Sequence, residues 1–516
     1  MESDHWDVIV VGAGSAGAAL AGRLSERPEL RVLVLEAGPD WLAADCPPTL
    51  RNPTNMYKWD VTTQGAVPPE YQWQGQSARR IAGRSAAPYL RGRGLGGCSS
   101  VNGCYAIRPP VEEFVDWVAA GYHGWGPDDV LPYFARLERD ADFPDEPYHG
   151  QDGPTPITRV PQEEWGSIDE GLRDSALRLG HKWEADHNAP RTEGVALTAS
   201  NIENGLRATT NDSYLEPARK RDNLRIVGNA LVDRVLLTAG RATGVSAIVD
   251  GQPREFRAGE VILSAGALLS PAILQRSGIG PAGLLSALDI PVVADLPVGV
   301  GLQDHAGFEL LLKIPRARPA ASGRRRGNCT VRHSSGLPDS GFGDLLLTDV
   351  NVAPGGDLGG LLCKLAHCHS RGSVRISSRD PETPPSADFN LLGDPRDVAL
   401  ARFALRHAFD LVRAGGFPAG TSFVDVNGDD VDLAMSDPEL DGWAAAVIRD
   451  TAHAASGCSI GGPDHPAVLD LECRVRGVEN LRVADTSVLP TVPRANTHLT
   501  AIMIGERVAD WVKESR

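Results

Sequence analysis

Apolar residues run almost unbroken through Asp7-Val-Ile-Val-Val11 and again through Arg31-Val-Leu-Val-Leu-Glu36. Short apolar runs bounded by Gly and charged residues predict strands. Ala18 to Arg27 between them predicts a helix, so residues 6 to 36 read as one strand–turn–helix–strand unit. Farther along, Asn229 to Leu237 and Val245 to Val249 flank a turn at Gly240 and predict a hairpin, with a sheet strand following at Glu260 to Ser264. The stretch 314 to 360 is broken at Pro354-Gly-Gly356 and Gly359-Gly360. Beyond it, Leu361 to Ile376 reads as strand, 381 to 385 as a Pro-rich turn and about 396 to 413 as an amphipathic helix. Asn480 to Asp485 predicts a last short strand. Leu499 to Val512 predicts a helix whose residues Leu499, Ile502, Met503, Val508, Trp511 and Val512 fall mostly on one face.

Composition narrows the function classes. Among 516 residues, 51 Lys and Arg stand against 67 Asp and Glu, a formal charge of −16. The compact basic run Arg324 to Arg326 is too short for a nucleic-acid face and reads as a solvated loop, so no nucleic-acid partner is expected. No apolar run reaches the roughly 18 residues a membrane helix needs, and the N-terminus enters a strand without a basic leader; the expectation is a cytoplasmic chain with no membrane partner. The eight cysteines lack paired spacing and read as reduced thiols.

The turn after the first strand is Gly12-Ala-Gly14-Ser15-Ala-Gly17. Gly12 suits a tight turn, Gly14 lets a pyrophosphate approach the backbone, and Gly17 lets the helix pack close on the strand, while the helix N-terminus faces phosphate charge. Twenty-four residues after Gly12 the second strand ends at Glu36, where a carboxylate can accept from ribose hydroxyls and would repel a 2′-phosphate. These features predict a dinucleotide site.

Gly92-Arg-Gly-Leu-Gly-Gly-Cys-Ser-Ser-Val-Asn102 and Gly266-Ala-Leu-Leu-Ser-Pro-Ala-Ile-Leu-Gln-Arg-Ser-Gly-Ile-Gly280 resemble the two signatures of the glucose–methanol–choline (GMC) flavin oxidoreductase family. Leu302-Gln-Asp-His305 and Gly505-Glu-Arg507 extend the resemblance to the last helix. Glu138 to Asp142, His149-Gly150 and the ending Pro490 to His498 look most like 5-hydroxymethylfurfural and aryl-alcohol oxidases, with choline oxidases next. The resemblance implies an α/β chain of two domains. A discontinuous Rossmann-like FAD-binding domain would take 1–155, 200–306 and 452–516, and a substrate domain on an antiparallel sheet with flanking helices 156–199 and 307–451. It implies FAD held by Gly12, Gly14, Ser15 and Gly17 at the pyrophosphate, Glu36 at the ribose and Val232 at the adenine. Gly97, Asn102 and Gly103 would lie along the flavin and ribityl chain, with Asp485 near the phosphates. Val101 stands where some relatives carry a flavin-linking histidine, so the FAD is expected to be non-covalent.

Alcohol oxidation needs a base for the hydroxyl proton, and neutral imidazole suits that work. The resemblance assigns it to His453, with His498 as partner on the alcohol oxygen and His367 as a substrate contact; His305 reads as structural. Cys363, His367, Cys368 and His369 read as a strand of mixed burial, not a metal set. The expected activity is oxidation of a primary alcohol to an aldehyde, and possibly on to the acid, with oxygen or another electron acceptor. The alternatives are a hydroxynitrile-lyase-like enzyme and a dehydrogenase serving a redox carrier.

Overall fold

The computed structural model describes residues 5–53, 67–321, 327–352 and 355–516; Arg324 to Arg326 and Pro354 lie outside them. The first strand (His5–Val11) and the next (Val32–Leu35) pair in parallel, joined by the first helix (Ser15–Leu24). That helix begins three residues before the predicted start because Gly14 in the turn is already its N-cap. It also ends three residues early, ahead of Pro28, which disfavours helical geometry at Arg27. Leu224–Val227 and Gln252–Leu263 extend the parallel pairing on either side, and Leu481–Val483 joins the C-terminal end of Gln252–Leu263. The N-terminal half of that long strand pairs instead with the predicted hairpin, Ala230–Thr238 and Arg241–Val249. Val8, Ile9, Val10 and Val32 to Val34 have no exposed surface, as strands covered on both faces require.

The last helix (Thr497–Glu514) lies along the first. A Cβ at Gly505 would stand 2.3 Å from the Ala16 carbonyl oxygen, so only glycine permits this approach. The next residue, Glu506, is wholly buried and accepts from Arg23, Arg136 and Tyr214 at 2.9, 2.7 and 2.8 Å, tying the C-terminus to the first unit.

A second sheet, antiparallel throughout, runs in the order Ser422–Val424, Ala306–Lys313, Leu358–Leu365, Leu345–Val350, Cys329–His333, Gly194–Leu197. Helices Ser167–Arg178 and Pro395–Arg413 pack on it. Gly359 and Gly360 do not break the chain as their sequence suggests. Both lie inside Leu358–Leu365, and a Cβ on Gly359 would fall 2.1 Å from Ile168 Cδ1 on the covering helix. The run 361–376 is not one strand either: the chain leaves this sheet at Leu365 and re-enters a third as Gly372–Arg375. That third sheet also takes Val300–Leu302, Ser386–Asp388, Ser77–Arg79 and Ala87–Pro88. No helix among the described residues is long and apolar enough to cross a membrane. The eight cysteines are unbridged, and all but Cys98 are buried.

Candidate active site

One cavity is lined by the Gly-rich turn, by Gly97 to Cys98 and Val101 to Gly103, and by the loops carrying His453 and Asn496. At its nucleotide end the glycines are explained by contact. Gly12 sits at φ +99°, and a Cβ there would stand 2.5 Å from Ser264 O; one on Gly17 would stand 2.0 Å from Gly12 O. Gly14 lines the cavity, and a Cβ there would meet nothing within 4 Å. Gly97 is pressed against the same turn, 2.8 Å from the Gly14 Cα to its missing Cβ.

Glu36 knits three loops together. Its carboxylate accepts from Ala13 N at 2.8 Å and from Gly38 N and Gly94 N at 2.9 Å each. Burial pushes its carboxyl above the usual range, with those N–H groups and Arg93 pulling the other way. A carboxylate offers about four lone-pair directions, so three N–H bonds leave room for about one more donor. Asp485 is likewise raised by burial; it accepts from Ser487 N, Ser270 Oγ and Gly266 N, and it lines the cavity. Asn102 accepts from Cys104 N and Arg207, both at 2.9 Å.

The reaction end is assembled from four distant segments. Asp304 Oδ1 accepts from Thr451 N, Thr451 Oγ1 and His453 N at 3.2, 3.2 and 3.0 Å, while Tyr89 donates to its Oδ2 at 2.7 Å. These bonds fix the loop that carries His453. His453 Nδ1 lies 2.8 Å from Thr451 Oγ1 and 2.9 Å from His305 Nδ1, and its Nε2 is 3.3 Å from Asn496 Nδ2. Lys364, almost fully buried on the antiparallel sheet, places Nζ 3.4 Å from Asn496 Oδ1 and 5.0 Å from the centre of the Tyr105 ring.

The predicted residues therefore divide. Gly12, Gly14, Ser15, Glu36, Gly97, Asn102, Gly103, Asp485, His453 and His498 all line the cavity. Gly17 packs behind the turn. Val232 lies outside the lining, in the ladder opposite Ala247, and Ala230 reaches the cavity from the same strand. His367 also lies outside it. The strand alternation that points Leu362 and Lys364 inward ends at Leu365, and His367 Nδ1 donates to Ser340 O; burial, then Arg494, lowers it to about 4.

The pairing differs too. His498 is turned by the start of the last helix toward the first, with Nδ1 3.1 Å from Ser15 Oγ, so Asn496 is the group beside His453 Nε2. Burial, with Arg207 adding, holds His498 near 4 and hence neutral; its Nε2 is buried with no partner among the described residues. An open Gly14 wall at a helix N-terminus and an unpaired imidazole nitrogen suit a pyrophosphate and a flavin ring.

Among the described residues, three ligand-bearing groups converge within 4.8 Å at Glu138, Asp140 and His149. Arg108 and Arg159 already pair with them, and Asp186 completes a buried ion network. The cluster is charge-compensated without a metal.

Residues 6–307 and 368–505 match family models described as GMC oxidoreductase. The chain is 36% identical over 533 residues to the 5-(hydroxymethyl)furfural oxidase of Methylovorus sp. (strain MP688), covering 99% of each. It is 33% identical over 548 residues to an oxygen-dependent choline dehydrogenase of Vibrio vulnificus, covering 98% of this chain and 94% of the relative. Pyridoxine 4-oxidase from Mesorbium loti superposes with a TM-score of 0.88 at 29% identity, over 99% of each chain. A match that runs from the first strand into the last helix, at more than 30% identity to relatives covered nearly end to end, leaves one assignment: the chain belongs to the GMC oxidoreductase family, whose members are FAD-dependent.

Proposed function

We propose that this chain oxidises a primary alcohol to an aldehyde, with FAD bound non-covalently, His453 as base and Asn496 as its partner on the substrate oxygen. The observation that carries the reading is the 3.3 Å contact between His453 Nε2 and Asn496 Nδ2 in the cavity that the Gly-rich turn also lines. Bound FAD supplies the hydride acceptor. The chain's own residues do the rest. Gly14 and the N-terminus of the first helix receive the pyrophosphate, and Val101, with no nucleophilic atom, cannot form a covalent link to the flavin. A hydroxyl seated between His453 and Asn496 donates its proton to imidazole Nε2 while its oxygen accepts from the amide, which steadies the alkoxide as it forms.

The relatives named above are a 5-(hydroxymethyl)furfural oxidase, a choline dehydrogenase and a pyridoxine oxidase, and a primary alcohol is common to those three substrates. Anaerobic mixing with a panel of primary alcohols should bleach the flavin, and admitting air or a dye acceptor should then separate oxygen from other acceptors. His453→Ala should keep its flavin yet bleach about 10²-fold more slowly, the scale of positioned acid–base catalysis. An unchanged rate would overturn the base assignment. Acid precipitation should release the yellow colour into the supernatant, and colour held in the pellet would refute non-covalent binding.

A further inference from the structure

We infer that His453 is the centre of a hydrogen-bond chain whose direction is fixed at both ends, and that Thr451 and Lys364 are positioning residues for it. The inference rests on the reading of His453 as base. The chain runs Asp304 Oδ1, Thr451 Oγ1, His453 Nδ1 and Nε2, Asn496 Nδ2 and Oδ1, Lys364 Nζ, with steps of 3.2, 2.8, 3.3 and 3.4 Å.

Its ends set its polarity. An ionised carboxylate can only accept and an ammonium can only donate. Thr451 must therefore give its hydroxyl proton to Asp304, leaving an oxygen lone pair for His453 Nδ1, and that nitrogen must carry hydrogen. From the other end, Lys364 claims Asn496 Oδ1, so the amide presents Nδ2–H to His453 Nε2, and that nitrogen must be the acceptor. Both arguments give the same tautomer, Nδ1–H with a free Nε2 lone pair on the cavity side. His305 Nδ1 also lies 2.9 Å from His453 Nδ1; burial, then the charge of Lys364, drops His305 to about 3, so it is neutral, and with His453 carrying hydrogen on Nδ1 it serves as a second acceptor. A further sign is that Asn496 is the N-cap of the last helix yet makes no capping bond, although Asn is among the preferred caps. Its side chain serves the chain instead.

When His453 takes a proton at Nε2, its existing Nδ1–H bond, which reaches the Asp304 carboxylate through the Thr451 hydroxyl, strengthens as the ring becomes cationic. Lys364 opposes that charge. The groups around His453 are Asp304 with Tyr89, His305, Lys364, Arg91 on the Ala452 carbonyl, and the Arg80–Asp450 ion pair. Two of them couple to it through the chain, with opposite signs.

The test is nitrogen-15 NMR of histidine-labelled protein, with and without flavin, together with pH profiles of flavin reduction. Wild type should show His453 protonated at Nδ1, a result that needs no turnover. Thr451→Val should mix the tautomers, slow reduction about 10-fold or more and lower the apparent pKa of the base; Thr451→Ser should restore the tautomer and most of the rate. Lys364→Met should raise that pKa, because a repelling charge is gone. A His453 protonated at Nε2 in wild type would overturn the chain. So would shifts of the same sign in Thr451→Val and Lys364→Met, or a serine variant no better than valine. If His453→Ala leaves reduction unchanged while the tautomer is as stated, the base reading fails and the hydrogen-bond chain stands as geometry alone.

Discussion

The two ends of the cavity are built on different principles. The nucleotide end is centred on one local unit, Gly12 to Glu36, with Gly97 and Asp485 brought in from elsewhere, and the constraints on its glycines are steric: absent side chains let backbone meet backbone or ligand. The reaction end joins Asp304, Lys364, Thr451, His453 and Asn496 from four separate segments, and its constraints are polar. The first should therefore fail when volume is added, whatever its polarity. The second should fail when polarity changes at constant volume.

The largest effect belongs to the steric end, and two glycines three residues apart make the comparison sharp. Gly17→Ala drives a Cβ to 2.0 Å from a backbone oxygen that cannot move without the first strand. Overpacking against backbone costs at least the usual 1–3 kcal/mol, so little soluble, flavin-loaded protein is expected. Gly14→Ala meets open space and sits at φ −75°, allowed to any residue, so its melting temperature should stay near wild type. What it should lose is flavin, read as absorbance retained through gel filtration, because its methyl group fills the cradle. Equal melting temperatures and equal flavin content in both variants would break the comparison.

At the polar end the effects are smaller and fall on rate. Asn496→Ala should keep its flavin and slow anaerobic reduction by about 10²- to 10³-fold, the range for losing one donor to a developing oxyanion. Since Asn496 and His453 serve one hydroxyl, the double alanine variant should lose less than the product of the single losses. His498→Ala should do the opposite of Asn496→Ala: flavin retention falls while the reduction rate changes only a few-fold, because His498 bonds to the first helix at Ser15. Rate losses in His498→Ala as large as in Asn496→Ala would restore His498 as the partner.

Legibility in the sequence follows the same division. The Gly-rich turn, the hairpin and the helix at Pro395–Arg413 are local, so spacing and turn residues suffice to find them. Gly12 and Gly17 were readable because close backbone contact requires them, and Gly14 because it sits at a fixed spacing between them. Lys364 was not, since a lysine on a strand ordinarily reaches solvent and its partner lies 132 residues away. Asn496 carries a competing signal: an Asn just before a helix reads as its cap. The expectation for His498 is offset by two residues in the structure: Asn496 lies beside His453 Nε2, while His498, at the helix start, faces Ser15. His367, which the resemblance offered as a substrate contact, lies outside the cavity lining, because the strand that would have carried its alternation ends at Leu365.

The smallest effect tests a region away from the cavity, the buried network around His149. Glu138, Asp140 and Asp186 face Arg108 and Arg159, so three negative charges meet two positive ones and a protonated His149 closes the balance. Burial alone would lower its pKa, but hydrogen bonds to Asp186 and Glu138 raise it to about 9, above the unfolded value near 6.5. A folded pKa above the unfolded one gives stability that is fully present below about pH 6.5 and is lost as pH rises through about 9. Between pH 6.5 and 8.5 the loss is on the order of 2 kcal/mol. In a chain this long the unfolding entropy is large, so that loss is only about 2 °C in melting temperature. His149→Gln should melt lower than wild type at pH 6.5, because it leaves buried carboxylates unbalanced. Its melting temperature should then be flatter across this window, since the group that titrates is gone. A variant that follows the wild-type slope would show that His149 is neutral in the folded protein, and that the network holds its spare negative charge another way.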